Sequence, residues 1–231
     1  LKSDSAHIED VNQYLYGLGG KQLRPILALL CFQALVPDQS SSNAMPTLPD
    51  ELIDIAAGIE LIHMASLLHD DIIDRADLRR HKPSALVTFG LPATLLTGDY
   101  LLVRAYSLCA RLDRAIILET ESACMALSEG ELAETSIALG DHSIESALEV
   151  SRKKTGSLFR LACFSAAQLA TNDEQHEIAM RHFGESIGLS FQVVYDILDV
   201  LGSAAELGKS PGTDIRERKP SIVNLLWLES G

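Results

Sequence analysis

The stretch from Leu52 to Asp74 reads L-I-D-I-A-A-G-I-E-L-I-H-M-A-S-L-L-H-D-D-I-I-D. Apolar residues fill almost every face of it as far as Ile73, at helical rather than alternating spacing. A helix that is apolar all round belongs inside a bundle rather than on its surface. Yet this one ends in His69, Asp70, Asp71 and Asp74. Buried carboxylates are costly unless paired or bound to a metal ion, so the conflict marks a functional site. Asp70 and Asp74 are four apart and share a helix face, while Asp71 points about 100° away. Two carboxylates on one face, without cysteine or a close histidine pair, favour a hard cation. Mg2+ suits such a site, because it takes few carboxylates and completes its shell with water and substrate phosphates.

Outward from this stretch the helical period continues, and no strand alternation stands out. The periodicity predicts helices over Asp4 to Tyr16, Leu23 to Val36, Pro49 to Ala76, Pro92 to Leu112, Arg114 to Leu139, Ile144 to Ala170 and Asp173 to Val200. Breakers separate them: Gly17 to Gly20, the Ser/Pro loop Pro37 to Pro49, His81 to Pro83, Gly140 to His142, and Gly202 to Pro220. The fold class is therefore all-α. With 231 residues, 47% of them apolar, residues 1–231 read as one domain with a sizeable core. Leu1 begins near a helix start and the apolar run around Trp227 stops at Gly231, so the domain reads as incomplete at both ends. A formal charge of −13 argues against binding nucleic acid non-specifically. Cys31, Cys109, Cys124 and Cys163 show neither C-x-x-C nor zinc spacing and read as free thiols. There is no signal-peptide pattern, and the most apolar run, Ile55 to Leu68, is interrupted by Glu60 and His63 and is too short to span a bilayer. The expectation is a soluble, cytoplasmic protein.

A second acidic pair closes another long apolar helix, in F-Q-V-V-Y-D-I-L-D from Phe191 to Asp199. Gln192, Asp196 and Asp199 follow i, i+4, i+7, one helical stripe. Two apolar helices that each end in spaced acids can face each other across a polar hole in a bundle. Cations cluster beside these motifs: Lys21 and Arg24; Arg79, Arg80 and Lys82; Lys153 and Lys154; Lys209, Arg216, Arg218 and Lys219. G-G-K at Gly19 is no Walker loop, since Gln22 follows the lysine.

Taken together these residues resemble the trans-isoprenyl diphosphate synthases, or polyprenyl synthetases. The resemblance runs through G-G-K-Q-L-R-P (Gly19 to Pro25), the first aspartate-rich region (Ile59 to Arg80), G-D-Y-L-L (Gly98 to Leu102), S-E-G-E (Ser128 to Glu131), K-T-G (Lys154 to Gly156), the second aspartate motif, and G-K-S-P-G-T-D-I-R-E-R-K-P (Gly208 to Pro220). It implies an antiparallel helix bundle around a central cavity, usually a homodimer, that joins isopentenyl diphosphate head-to-tail to an allylic diphosphate. It implies two or three Mg2+ ions on Asp70, Asp74, Asp196 and Asp199. Asp70, Asp71, Asp74, Lys154, Asp196 and Lys209 are the expected catalytic set. Arg79, Lys154, Thr155, Gln192, Lys209 and Lys219 would hold the allylic diphosphate, and Lys21, Arg24, His63 and Arg80 isopentenyl diphosphate.

The chain departs from the family's pattern. Tyr195 stands at the first position of D-D-x-x-D, Glu134 where Gln is common, His81 where Gly usually follows R-R, and Arg218 before Lys219. Tyr195 removes a carboxylate from the metal face, and a phenol of pKa about 10 is a poor Mg2+ ligand. These changes favour, as an alternative, a weakly active or non-catalytic subunit of a heteromeric synthase. Ala65 and Ser66, five and four positions before Asp70, are small where aromatics would close the cavity early. A product of C20 or longer is expected, with Ile62 as a deeper floor.

Overall fold

The computed structural model describes residues 3–36, 47–137, 143–202, 212, 215 and 221–230. These are almost entirely helical, as the period predicts. The helices are α1 (Ala6–Gly17), α2 (Leu23–Leu35), α3 (Asp50–Ile73), α4 (Ala85–Phe89), α5 (Leu91–Cys109), α6 (Arg114–Ile137), α7 (Ile144–Ser151), α8 (Ser157–Ala170), α9 (Glu174–Leu201) and α10 (Ile222–Ser230). Their starts follow ordinary capping chemistry. Asp173 Oδ1 accepts from the Gln175 and His176 amides, Ser143 Oγ from the Ser146 amide, and Ser84 Oγ from the Val87 amide.

Helix α3 packs lengthwise on α5 and also meets α2 and α8, while α8 lies along α9. One apolar core runs through α1, α2, α3, α5, α6 and α8, and includes Ile55, Ile59, Ile62, Leu68, Leu101, Ile116, Leu161 and Phe164. Cys31, Cys109, Cys124 and Cys163 are free, and the Cys31 and Cys163 sulfurs lie 3.7 Å apart across the α2–α8 contact. Helix α3 exceeds the apolar run read in the sequence: by length and composition it is apolar enough to cross a membrane. More than half of that apolar window is buried inside the bundle, which makes it a core helix. Its burial is not complete, however. Ile53 and Ile73 are about half exposed, so apolar composition on every face over-predicted burial at both ends.

Three features lay beyond the periodicity. Leu78–Arg79 and Lys82–Pro83 form a short antiparallel hairpin. Its two-residue turn has positive φ at both Arg80 (52°) and His81 (64°), the geometry that favours Asn-Gly and explains why a glycine suits position 81. The short helix α4 follows the hairpin. Finally, the predicted helix Ile144 to Ala170 is interrupted by a π-helical turn, Arg152–Gly156, a deformation that often sits at functional sites.

Gly188 sets the approach of α9 to that π turn. A Cβ there would meet Gly156 Cα at 2.7 Å. Gln192 lies one helical turn further on, opposite Thr155, so this contact also sets the spacing of the site. Gly188→Ala is expected to destabilise the fold by about 1–3 kcal/mol through overpacking. Thermal unfolding should show a midpoint lowered by several degrees, and an unchanged midpoint would contradict the close contact.

Candidate active site

Three adjoining cavities open around the C-terminal half of α3. The central one, about 360 Å³, is lined by Arg24, His63, Ser66, Asp70, Arg79, Glu134, Lys154, Thr155, Gln192, Tyr195 and Asp196 among others. The second, about 450 Å³, shares Ser66, Asp70 and Lys154 with it and runs between α3 and α6 past Ile73, Leu127 and Leu132. The third, about 270 Å³, shares His63 and is bounded by Gly19, Gly20, Glu60, Leu67 and Arg80. Residues far apart in sequence thus meet around α3.

Asp70 sits at the junction of the first two cavities. Burial above all, with Glu131 and Asp74, raises its carboxyl to about 7 against the opposing pull of Lys154 and Arg79. Among the described residues no hydrogen bond to this carboxylate is found. Asp74 lies one turn on, its amide donating to the Asp70 carbonyl at 2.8 Å, so the two acids share a face as the spacing predicts. A half-buried carboxylate with an exposed one beside it fits a hard divalent cation. Among the described residues no three His, Cys, Asp or Glu side chains converge on one point. Ligands from water and a phosphate-bearing molecule would then complete the shell, which suits Mg2+.

Asp71 does something else. It is 1% exposed and accepts both Arg79 Nε (2.9 Å) and Arg79 Nη2 (2.5 Å) on Oδ1. Its helical angle turns it away from Asp70, and its pair with Arg79 anchors the hairpin. Its part in the expected catalytic set therefore runs through Arg79.

Cations surround the central and third cavities. The Arg24 guanidinium packs over the Phe159 ring at 4.9 Å, and burial lowers its pKa to about 10 while Glu60 opposes the shift. Burial, then Arg24, Arg80 and Arg79, push His63 well below the usual histidine range, which leaves a neutral imidazole among arginines. Such a cluster is arranged for an anion. Sequence reasoning missed Glu60, noting it only as an interruption of the apolar run. It lines the third cavity and faces Arg24 and Arg80, and burial raises its carboxyl against both. Its signal was the spacing Glu60, His63, Leu67 along one face of α3.

The π turn aims Lys154 and Lys153 apart. Lys153 pairs outward with Glu129 at 2.9 Å. Lys154 turns inward to Glu131 (2.5 Å) and to Glu134. Burial works against its charge, yet Glu134, Asp70 and Glu131 hold it above the ordinary lysine range. The close approach depends on Gly130 of S-E-G-E, where a Cβ would meet Lys153 Cβ at 2.8 Å and Lys154 Cγ at 2.9 Å. Next along, Thr155 Oγ1 meets Gln192 Oε1 at 2.9 Å, and Gln192 Nε2 donates to Asp196 Oδ1 at 2.9 Å. Asp196 Oδ2 accepts the Ile222 amide at 3.0 Å and so ties down the start of α10. Of the second motif, Asp196 therefore reaches the cavity while already holding protein donors. Asp199 is 1% exposed, one turn lower, and is not among the residues that line it. Tyr195 lines the cavity, stacks on Phe191 at 4.5 Å, and meets Lys21 Nζ at 3.4 Å through its hydroxyl.

Ala65 is fully buried in the core and lines none of these cavities, because one residue along a helix turns a side chain by about 100°. Ser66 is the small residue at the neck between two cavities; its hydroxyl donates to the His63 carbonyl at 2.9 Å. Lys209 and Lys219 lie outside the described residues.

Comparisons with known proteins agree with this geometry. Residues 5–231 match the family model described as polyprenyl synthetase. The chain is 35% identical to the octaprenyl diphosphate synthase of Haemophilus influenzae, covering 100% of this chain and 68% of that protein. It superposes on the geranylgeranyl pyrophosphate synthetase of Pyrococcus horikoshii with a TM-score of 0.88 at 28% identity, over 100% of this chain and 70% of that one. A polyprenyl synthase of Caulobacter crescentus, solved with calcium and isoprenyl diphosphate, gives 0.87 at 32% identity, over 99% and 67%. The chain thus spans about two thirds of the length of the relatives it matches. With its helical bundle, its aspartates at the end of α3 and its cation-lined cavities, it belongs to the polyprenyl synthetase family of trans-prenyltransferases.

Proposed function

We propose that this protein condenses isopentenyl diphosphate head-to-tail with an allylic diphosphate, using Mg2+, to give a product of C20 or longer. The observation that carries the reading is the junction at Asp70: a carboxylate pair, a cationic cavity on one side and an apolar cavity on the other. Arg79, Lys154, Thr155 and Gln192 bind the allylic diphosphate in the central cavity. Mg2+ held by Asp70 and Asp74 would stabilise the charge that grows on the departing diphosphate. The allylic chain extends past Ser66 into the apolar cavity, along Ile73, Leu127 and Leu132. Arg24, His63, Arg80 and Lys21 hold isopentenyl diphosphate on the opposite side, its double bond set against the cation. The proton is lost to the released diphosphate, so no protein base is assigned. Ser66 at the neck supports the longer product. The Haemophilus relative is an octaprenyl synthase and the Pyrococcus one makes the geranylgeranyl compound, both within that range.

The same reading extends to assembly and location. Leu118, Met125 and Leu132 lie seven apart on α6 and are 50–71% exposed, beside exposed Leu95, Val103 and Tyr106 of α5. A face of this kind is suited to a second copy of the chain. Buried free thiols fit a reducing compartment, so we assign the cytoplasm. A weakly active subunit of a heteromeric synthase is the second reading, and Glu134 on Lys154 with Tyr195 on Lys21 favours it.

Purified protein with Mg2+, isopentenyl diphosphate and geranyl, farnesyl or geranylgeranyl diphosphate is expected to give elongated products. A folded chain that elongates no primer sinks the first reading, and activity appearing only with a partner chain selects the second. Asp70→Asn should lower kcat by at least about 10²–10³-fold, the loss typical when charge stabilisation is removed, with the helical circular dichroism unchanged. Sedimentation should give the mass of two chains, shifted toward one by glutamate at Leu118 and Met125; a single-chain mass for the unaltered protein would contradict the paired face.

A further inference from the structure

Lys154 has more counter-charge than one ammonium needs. Glu131 alone satisfies it at 2.5 Å, and Glu134 contacts it as well. Both carboxylates are shielded, with side chains 17% and 22% exposed, so the contact is not a screened surface pair. Their positions differ. Lys154 lines both the central and the apolar cavity, Glu131 only the apolar one, and Glu134 only the central one. A diphosphate oxygen that reaches Lys154 from the central cavity therefore approaches Glu134. Two anions would then compete for one ammonium, with Asp70 adding its own field. Gln at this position would accept the same hydrogen bond without the charge.

Resting on the reading of the central cavity as a diphosphate site, we propose that Glu134 competes with the diphosphate for Lys154 and so sets how tightly the diphosphate binds. The shared ammonium makes its hold on the diphosphate weaker than an uncontested lysine would give. The positions of the helices are unaffected, because Glu131 keeps Lys154 in place.

The test is calorimetric titration of the full chain with inorganic pyrophosphate in excess Mg2+. Glu134→Gln is expected to tighten binding by about tenfold, the scale of one charge-assisted contact, while Glu134→Asp keeps the wild-type affinity. In a Lys154→Gln background the gain from Glu134→Gln should largely disappear, because the effect runs through the lysine. A merely structural role for Glu134 would weaken binding on substitution. Equal or weaker binding by folded Glu134→Gln overturns the inference and leaves the functional reading standing if the wild type still elongates primers. Failure of the wild type to bind pyrophosphate at all overturns both.

Discussion

The site depends on the electrostatics of one carboxylate. Asp70 closes a core helix where burial disfavours its charge, and neighbouring acids add to that disfavour. In water-poor surroundings an anion needs a counter-ion, and only part of it comes from the protein, through Lys154 and Arg79. On the proposed reading, a divalent cation would supply the remaining counter-charge. The second aspartate is arranged quite differently. Asp71 is paired with Arg79 and holds the hairpin that carries Arg80 to the third cavity. Adjacent aspartates thus do separate work because a helix turns them to separate neighbours.

The packing serves this arrangement. Gly130 lets α6 close on the π turn, and Gly188 lets α9 do the same from the other side. Between them the turn presents Lys154 and Thr155 to the cavity and leaves Lys153 outside. The Thr155, Gln192 and Asp196 chain then links the π turn through α9 to the start of α10. One polar network therefore joins the cavity wall to the far end of the described chain. Its interior hydrogen bonds are worth more than surface ones, because the low local dielectric penalises any break.

Much of this was legible in the sequence, for a physical reason. Helical period, breakers and caps are local, so the main helices were read within a few residues of their observed ends. The shared face of Asp70 and Asp74 follows from 3.6 residues per turn alone. What escaped notice was set by tertiary contact. The π turn lies where α6 and α9 pack closely on it, and α4 is too short to show a period. Glu60 looked like a flaw in an apolar run until Arg24 and Arg80 were seen around it. Ala65 was expected at the cavity because it is small, yet it faces the core, and Ser66 takes the neck. Glu134 and Tyr195 were visible as departures from a pattern; their contacts with Lys154 and Lys21 were not.

On the proposed reading, Asp70 and Asp74 bind a diphosphate through a divalent cation. Calorimetric titration with a non-ionising allylic thiolodiphosphate, in Mg2+ and then in a chelator, tests it most directly. Saturable one-site binding in Mg2+, lost in chelator and lost in Asp70→Asn, is the expected result. Equal binding with and without the cation would contradict a metal-bridged site.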